Sequence, residues 1–168
     1  MSTRPGQPPP ASPLFLREAE IRRGIELLFF GHAQLMGSGD ALLERSKLGR
    51  AHHRALYFIA RSPGLPVGDL MALLGVTKQS LGRVLGELEE RGFVQREQGR
   101  QDRRQVLLRL TASGEALETE LFAAFRTRMI EAYNEAGPGA VGGFWTVLEK
   151  LLPEDALERA RALTRDDR

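Results

Sequence analysis

Cysteine is absent from all 168 residues. That excludes disulfide frameworks, thiol redox sensing and thiolate metal sites together. Only three histidines are present, a thin set for zinc, which needs about four ligands. No metal is expected. No apolar run approaches the roughly 18 residues of a membrane span. The first residues lack the charged-then-apolar pattern of a secretory signal. No P-loop, dinucleotide fingerprint or nucleophile–base pair is found. The expectation is therefore a soluble cytoplasmic protein with no membrane partner, no cofactor and no catalytic residues.

Net charge is also scarce: 24 Lys+Arg against 22 Asp+Glu leave only +2. With so small a total, the distribution of charge carries more information than its sum. Of the basic residues, 21 are arginine and three are lysine. Arginine suits phosphate and base edges, but codon usage in a GC-rich genome explains the overall bias as well. Local clusters are what matter. A hydrophobic content of 42% is enough for a buried core.

Residues 1–13 hold five of the nine prolines, which neither a helix nor a central strand accepts. They read as an extended arm. A helical pattern follows over 14–36, with Ile21, Ile25, Leu28 and Phe29 apolar. A second covers 41–60 and splits near Gly49. The run Ser62-Pro63-Gly64-Leu65-Pro66 is a stop and turn. Two short helices come next, 67–74 and 77–91. Gly75 closes the first as a left-handed cap, and Thr77 caps the start of the second.

The period then changes from 3.6 to 2. Strands are predicted at 93–97 and 106–110, joined by a polar loop with three arginines. A long helix over 112–135 carries Leu117, Leu121, Phe125 and Met129 at steps of four. Two more helices follow Gly137 and Pro153, ending near Leu163. The fold class is mainly α with a small β-hairpin wing. The chain divides into an arm (1–13), supporting helices (14–62), a winged helix-turn-helix (63–111), C-terminal helices (112–163) and a frayed tail (164–168).

In such a unit the first helix props the second, and the second enters the major groove. Its inner face must be apolar, and Leu81, Val84, Leu85 and Leu88 supply the stripe. Its outer face must be short and polar. Lys78, Gln79, Ser80, Gly82, Arg83 and Gly86 remain for it. Gln79, Ser80 and Arg83 are candidates for base edges. Thr77 and Lys78, at the helix start, suit phosphate. From Gln95 to Arg109 five arginines face one Glu and one Asp, so this hairpin concentrates positive charge. Arg103 and Arg104 lie near its tip, where an arginine fits a narrow minor groove.

The segments Leu65-Pro66-Val67-Gly68-Asp69-Leu70, Leu74 to Leu85 and Leu88-Glu89-Glu90-Arg91-Gly92-Phe93-Val94 resemble the MarR family of transcriptional regulators. Asp102-Arg103-Arg104, then Val106 to Thr111 and Gly114, is similar to that family's wing signature. The match is specific over 65–114. Phe15-Leu16-Arg17-Glu18 and the run Gly49 to Leu56 resemble the PetP-type branch. The resemblance implies that Arg104 holds the signature position and that Asp102 pins the wing arginine by a salt bridge. Gly82 and Gly86 depart from the family's polar residues, which removes base reading at Gly82.

The flanking helices carry more apolar surface than a monomer with so small a wing covers, so a homodimer is expected. The resemblance implies the same, with double-stranded DNA as the second partner and a small aromatic or phenolic acid as effector. Candidate effector-pocket residues are Phe29, His53 and Tyr57, although aromatics at helical spacing are more often core or dimer interface. The rival reading is a winged-helix protein-interaction module, or a DNA-binding regulator without an effector.

Overall fold

The computed structural model describes residues 13–99 and 104–165. The expected arm lies outside the described residues up to position 12. By its contacts the chain forms two compact units, Met1–Gly37 and Ser38–Arg168.

In the first unit a 3-10 turn, Pro13–Leu16, precedes helix α1, Glu18–Gly37. The helix was expected from Leu14. Instead Arg17 N–H bonds back to the Leu14 carbonyl at 3.4 Å, the tighter three-residue step. The Arg17 carbonyl then accepts the first α-helical bond, from Ile21 at 3.1 Å. Glu18 and Arg22 pair one turn apart at 2.6 Å, a contact worth a few tenths of a kcal/mol. No residue of α1 is buried, and Phe29 and Phe30 are 72% and 70% exposed.

The second unit begins with α2, Asp40–Arg45, and α3, Arg50–Arg61. The expected split near Gly49 is present. Lys47 takes a positive φ of 53° there, and Gly49 N–H donates to His52 Nδ1 at 3.0 Å, capping α3. The turn after α3 holds a short strand that the prolines had hidden. Gly64, at φ 88°, donates its N–H to the Leu108 carbonyl at 2.8 Å. That aligns β1, Leu65–Pro66, antiparallel to β3, Val106–Leu110, with Leu65 opposite Leu108. Pro66 needs no ladder donor because β1 lies at the sheet edge.

Helix α4, Val67–Leu74, ends at Gly75 in the left-handed region, φ 63°. Helix α5, Lys78–Glu90, follows. Strands β2, Val94–Gln98, and β3, Val106–Leu110, complete a three-stranded antiparallel sheet of order β1-β3-β2. Gln95 stands opposite Arg109 and Arg96 opposite Leu108. β2 starts one residue later than expected. Phe93 is engaged in closing α5, its N–H on the Leu88 carbonyl at 2.9 Å.

Helix α6, Ala112–Ala136, is capped by Thr111, whose Oγ1 accepts from Gly114 N at 3.1 Å. Helices α7, Pro138–Leu151, and α8, Glu154–Arg165, close the described chain. The frayed tail was expected from 164, but α8 takes in Thr164 and Arg165; residues 166–168 lie outside the described residues.

The core joins α3, α4, α5, the sheet and the first half of α6. Leu56, Ile59, Leu70, Leu81, Leu85, Leu88, Leu108 and Leu121 are its largest fully buried side chains. Burying each contributes about 1.5–3 kcal/mol relative to exposure. The stripe on α6 runs into it through Leu117, Leu121 and Phe125, while Met129 is only half-buried. Beyond that point the pattern is inverted. Helix α7 buries nothing, and Phe144, Trp145, Val147 and Leu151 face solvent, Trp145 at 54% exposure.

Candidate nucleic-acid interface

Helix α5 is built as a two-faced element. Leu81, Leu85 and Leu88 are buried, and Val84 packs against them from the flank. The opposite side presents Lys78, Gln79, Ser80, Gly82, Arg83 and Gly86, all exposed. A Cβ added to Gly82 or Gly86 would meet nothing within 4 Å, so this face stands open along a full turn. Thr77 caps the helix, its Oγ1 accepting from Ser80 N at 3.3 Å and donating to Ser80 Oγ at 3.0 Å. Thr77, Lys78, Gln79, Ser80 and Arg83 thus lie together on the first two turns. The free N–H groups and the positive end of the helix dipole favour an anion there.

Directional bonds hold this helix, and α4 before it, from behind. Arg54 donates to the Leu74 carbonyl at 2.9 Å, closing the end of α4. Arg91 donates to the Ser46 carbonyl at 2.9 Å. His52 Nε2 lies 2.9 Å from Glu87 Oε2. None of these ties was foreseen. The divergent directions of His52 and His53 are legible in their adjacency, but their partners lie far along the chain.

The wing rises from the same core. Leu108 is buried at its base. Arg109 pairs with Glu97 at 3.1 Å across the strands, and Arg96 with Glu89 of α5 at 2.5 Å. Arg96 and Arg109 are therefore both ion-paired at the base of the wing. Gly99 N–H donates to the Gln105 carbonyl at 2.9 Å, closing the loop. Arg104 is exposed beside that bond. Asp102 and Arg103 lie outside the described residues, as does any salt bridge between Asp102 and a wing arginine.

The candidate effector residues fall in different places. His53 is buried and stacks on Phe125, with Tyr57 6.4 Å away. Burial pushes the His53 imidazole below its ordinary pKa, so it is neutral near pH 7. Phe29 belongs to the first unit and is exposed there. Between α3, β3 and α6 lies a cleft of about 360 Å³ lined by Ile59, Leu110, Arg109 and Glu118. Burial raises the Glu118 carboxyl, and nearby Arg61 opposes the rise. Among the described residues no group of three or more His, Cys, Asp or Glu is placed to hold a metal. None of the described helices is long and apolar enough to cross a membrane.

The family model described as MarR family matches residues 46–105. The HTH-type transcriptional regulator PetP of Rhodobacter capsulatus is 45% identical over 161 residues, covering 96% of each chain. Among solved structures, NadR in complex with 4-hydroxyphenylacetate superposes with a TM-score of 0.66 at 26% identity, covering 88% of this chain and 97% of that one. A MarR mutant from E. coli complexed with operator DNA superposes at 0.65 and 24% identity, covering 84% and 100%.

Proposed function

Since this chain belongs to the MarR family of winged helix-turn-helix transcriptional regulators, we propose that it is a homodimeric repressor of a pseudo-palindromic operator, released by a small aromatic or phenolic acid. The observation that carries the DNA-reading part is the open polar face of α5 over a fully buried apolar one. Gln79, Ser80 and Arg83 read base edges in the major groove. Thr77 and Lys78 hold phosphate at the helix start. Arg104, with Arg103, reaches the minor groove, and Asp102 steadies the wing arginine.

The homodimer rests on the wet apolar surfaces. Ile21, Ile25, Leu28, Phe144, Trp145 and Val147 are all exposed, an unusual load for a monomer. Two-fold symmetry then places two copies of α5 on half-sites about one helical turn apart. The effector rests on the cleft between α3, β3 and α6, whose volume is ordinary for a small-molecule site. An occupant there touches both the wing's β3 and the supporting helices. It shifts the DNA-binding equilibrium only by preferring one arrangement. NadR supplies the precedent for the ligand class.

Selection of bound sequences from a random duplex library at two salt concentrations tests the proposal. The expected result is a palindromic consensus whose affinity falls steeply with salt, as phosphate contacts require. No enrichment at either salt would overturn the DNA-reading role. Raised thermal stability with a panel of aromatic carboxylates is the matching expectation for the effector.

A further inference from the structure

We propose that His52 is a positioning residue for α5, fixing the rotation at which that helix meets DNA. The inference rests on the reading that α5 contacts bases. The His52 side chain is only 12% exposed. Its Nδ1 accepts the Gly49 N–H at 3.0 Å. The ring proton therefore sits on Nε2, because the two nitrogens of a neutral imidazole divide the donor and acceptor roles. That N–H donates to Glu87 Oε2 at 2.9 Å. One imidazole thus caps α3 and holds α5 at once.

The second grip lies one turn further along α5. Arg91 donates to the Ser46 carbonyl at 2.9 Å. Glu87 and Arg91 are four residues apart and share a face of the helix region. Both reach residues 46–52, the elbow between α2 and α3 together with the first turn of α3. That elbow is itself fixed. Lys47 holds its positive φ there. Arg50 brackets Asp40 through bonds of 3.1 and 2.7 Å, and this pairing holds the Asp40 carboxyl below its usual pKa.

The neighbouring histidine points elsewhere. His53 lies against Phe125 of α6. Successive helical residues are separated by about 100°, so two adjacent imidazoles engage two different helices. The dipeptide joins α5 to the long helix through a single turn of α3. Leu81, Leu85 and Leu88 set how closely α5 docks, but an apolar contact is non-directional and tolerates rotation. The directional bonds to His52 and Arg91 do not. Base reading demands placement within about 0.5 Å and 10–20°, whereas phosphate contact is more forgiving. His52 should therefore matter to specific binding and little to non-specific binding.

Four single variants of the full chain test this: His52→Asn, His52→Gln, Glu87→Ala and Glu87→Gln. Asparagine places an amide oxygen near the Nδ1 position, keeping the cap but falling short of Glu87. Glutamine reaches Glu87 with an N–H. Glu87→Gln keeps an acceptor for His52. Affinity is measured on the duplex consensus selected by the wild type and on a scrambled duplex at the same salt. His52→Asn and Glu87→Ala should lose about tenfold on the consensus. They should leave scrambled-duplex affinity and melting temperature near wild type. His52→Gln and Glu87→Gln should recover most of that loss, and the double variant His52→Asn/Glu87→Ala should be no worse than either single.

Consensus affinity unchanged in His52→Asn and Glu87→Ala would overturn the proposal. So would a parallel fall of both affinities and the melting temperature, which would make His52 a residue of the fold alone. In both cases the wild type still discriminates the consensus, and the DNA-reading role of α5 stands. If the wild type does not discriminate, that role falls and this inference falls with it.

Discussion

His53 lies flat on Phe125, the two ring centroids 4.6 Å apart and the planes within 3° of parallel. The stack joins α3 to α6 inside the core, where the imidazole is held neutral by burial. Its pKa in the folded protein is below the ordinary value of about 6.5. As pH falls, the unfolded chain takes this proton first. The contribution is fully present above about pH 6.5 and is lost as pH falls through the folded value. Urea midpoints should therefore decline below about pH 6.5. His53→Phe, which keeps a stacked ring, should flatten that decline. An identical slope in the variant would assign it to other groups.

Gly114 stands where a Cβ would sit 2.0 Å from the Phe93 carbonyl oxygen. The oxygen is backbone and the Cβ is fixed to the α6 backbone through its Cα, so neither moves cheaply. The same corner holds the Thr111 hydroxyl on the Gly92 carbonyl at 2.6 Å and Thr111 N–H on the Phe93 carbonyl at 3.0 Å. Gly114→Ala should cost about 1–3 kcal/mol, read as a lowered chemical-denaturation midpoint. A variant as stable as wild type would show that α6 shifts freely against β2.

Gly82 and Gly86 have open space around them, and each lowers helix stability by about 1 kcal/mol relative to alanine. Gly82→Ala and Gly86→Ala should each raise the stability of α5 by up to that amount. Thermal melts of the free protein check this. A loss of stability in either variant would contradict an unobstructed outer face.

Arg83→Ala should weaken operator binding by about 1–3 kcal/mol and relax preference at one base position per half-site. Arg104→Ala should weaken binding while fold and assembly persist. Repeating the sequence selection with Arg83→Ala separates the two outcomes. An unchanged consensus would remove Arg83 from base reading. Sedimentation of Arg104→Ala guards against a disrupted assembly, which would place that arginine elsewhere.

Periodicity made most of the helices legible. The stripe Leu81, Val84, Leu85 and Leu88 named the docking face of α5, and Gly75 and Thr77 marked the turn before it. These signals are local, so they survive in a linear string. Strand β1 was invisible for the opposite reason. Leu65 and Pro66 become a strand only by pairing with Leu107 and Leu108, more than 40 residues away. Likewise Glu87 gives no local sign that it faces His52, 35 positions earlier. The apolar side chains on α1 and α7 are a different case. Their helical spacing is that of a buried stripe, no residue of either helix is buried in the single chain, and the sequence reading assigned that surface to a second copy.

The sheet also bears on how this protein behaves at high concentration. One edge is the two-residue β1, ending in Pro66, which has no N–H to offer another strand. The other edge is β2, which carries the charged Arg96 and Glu97. A short, proline-bearing edge and a charged edge both discourage strand addition, the route by which folded chains template aggregates. Neither described edge therefore offers an incoming chain a long, uncharged ladder to extend.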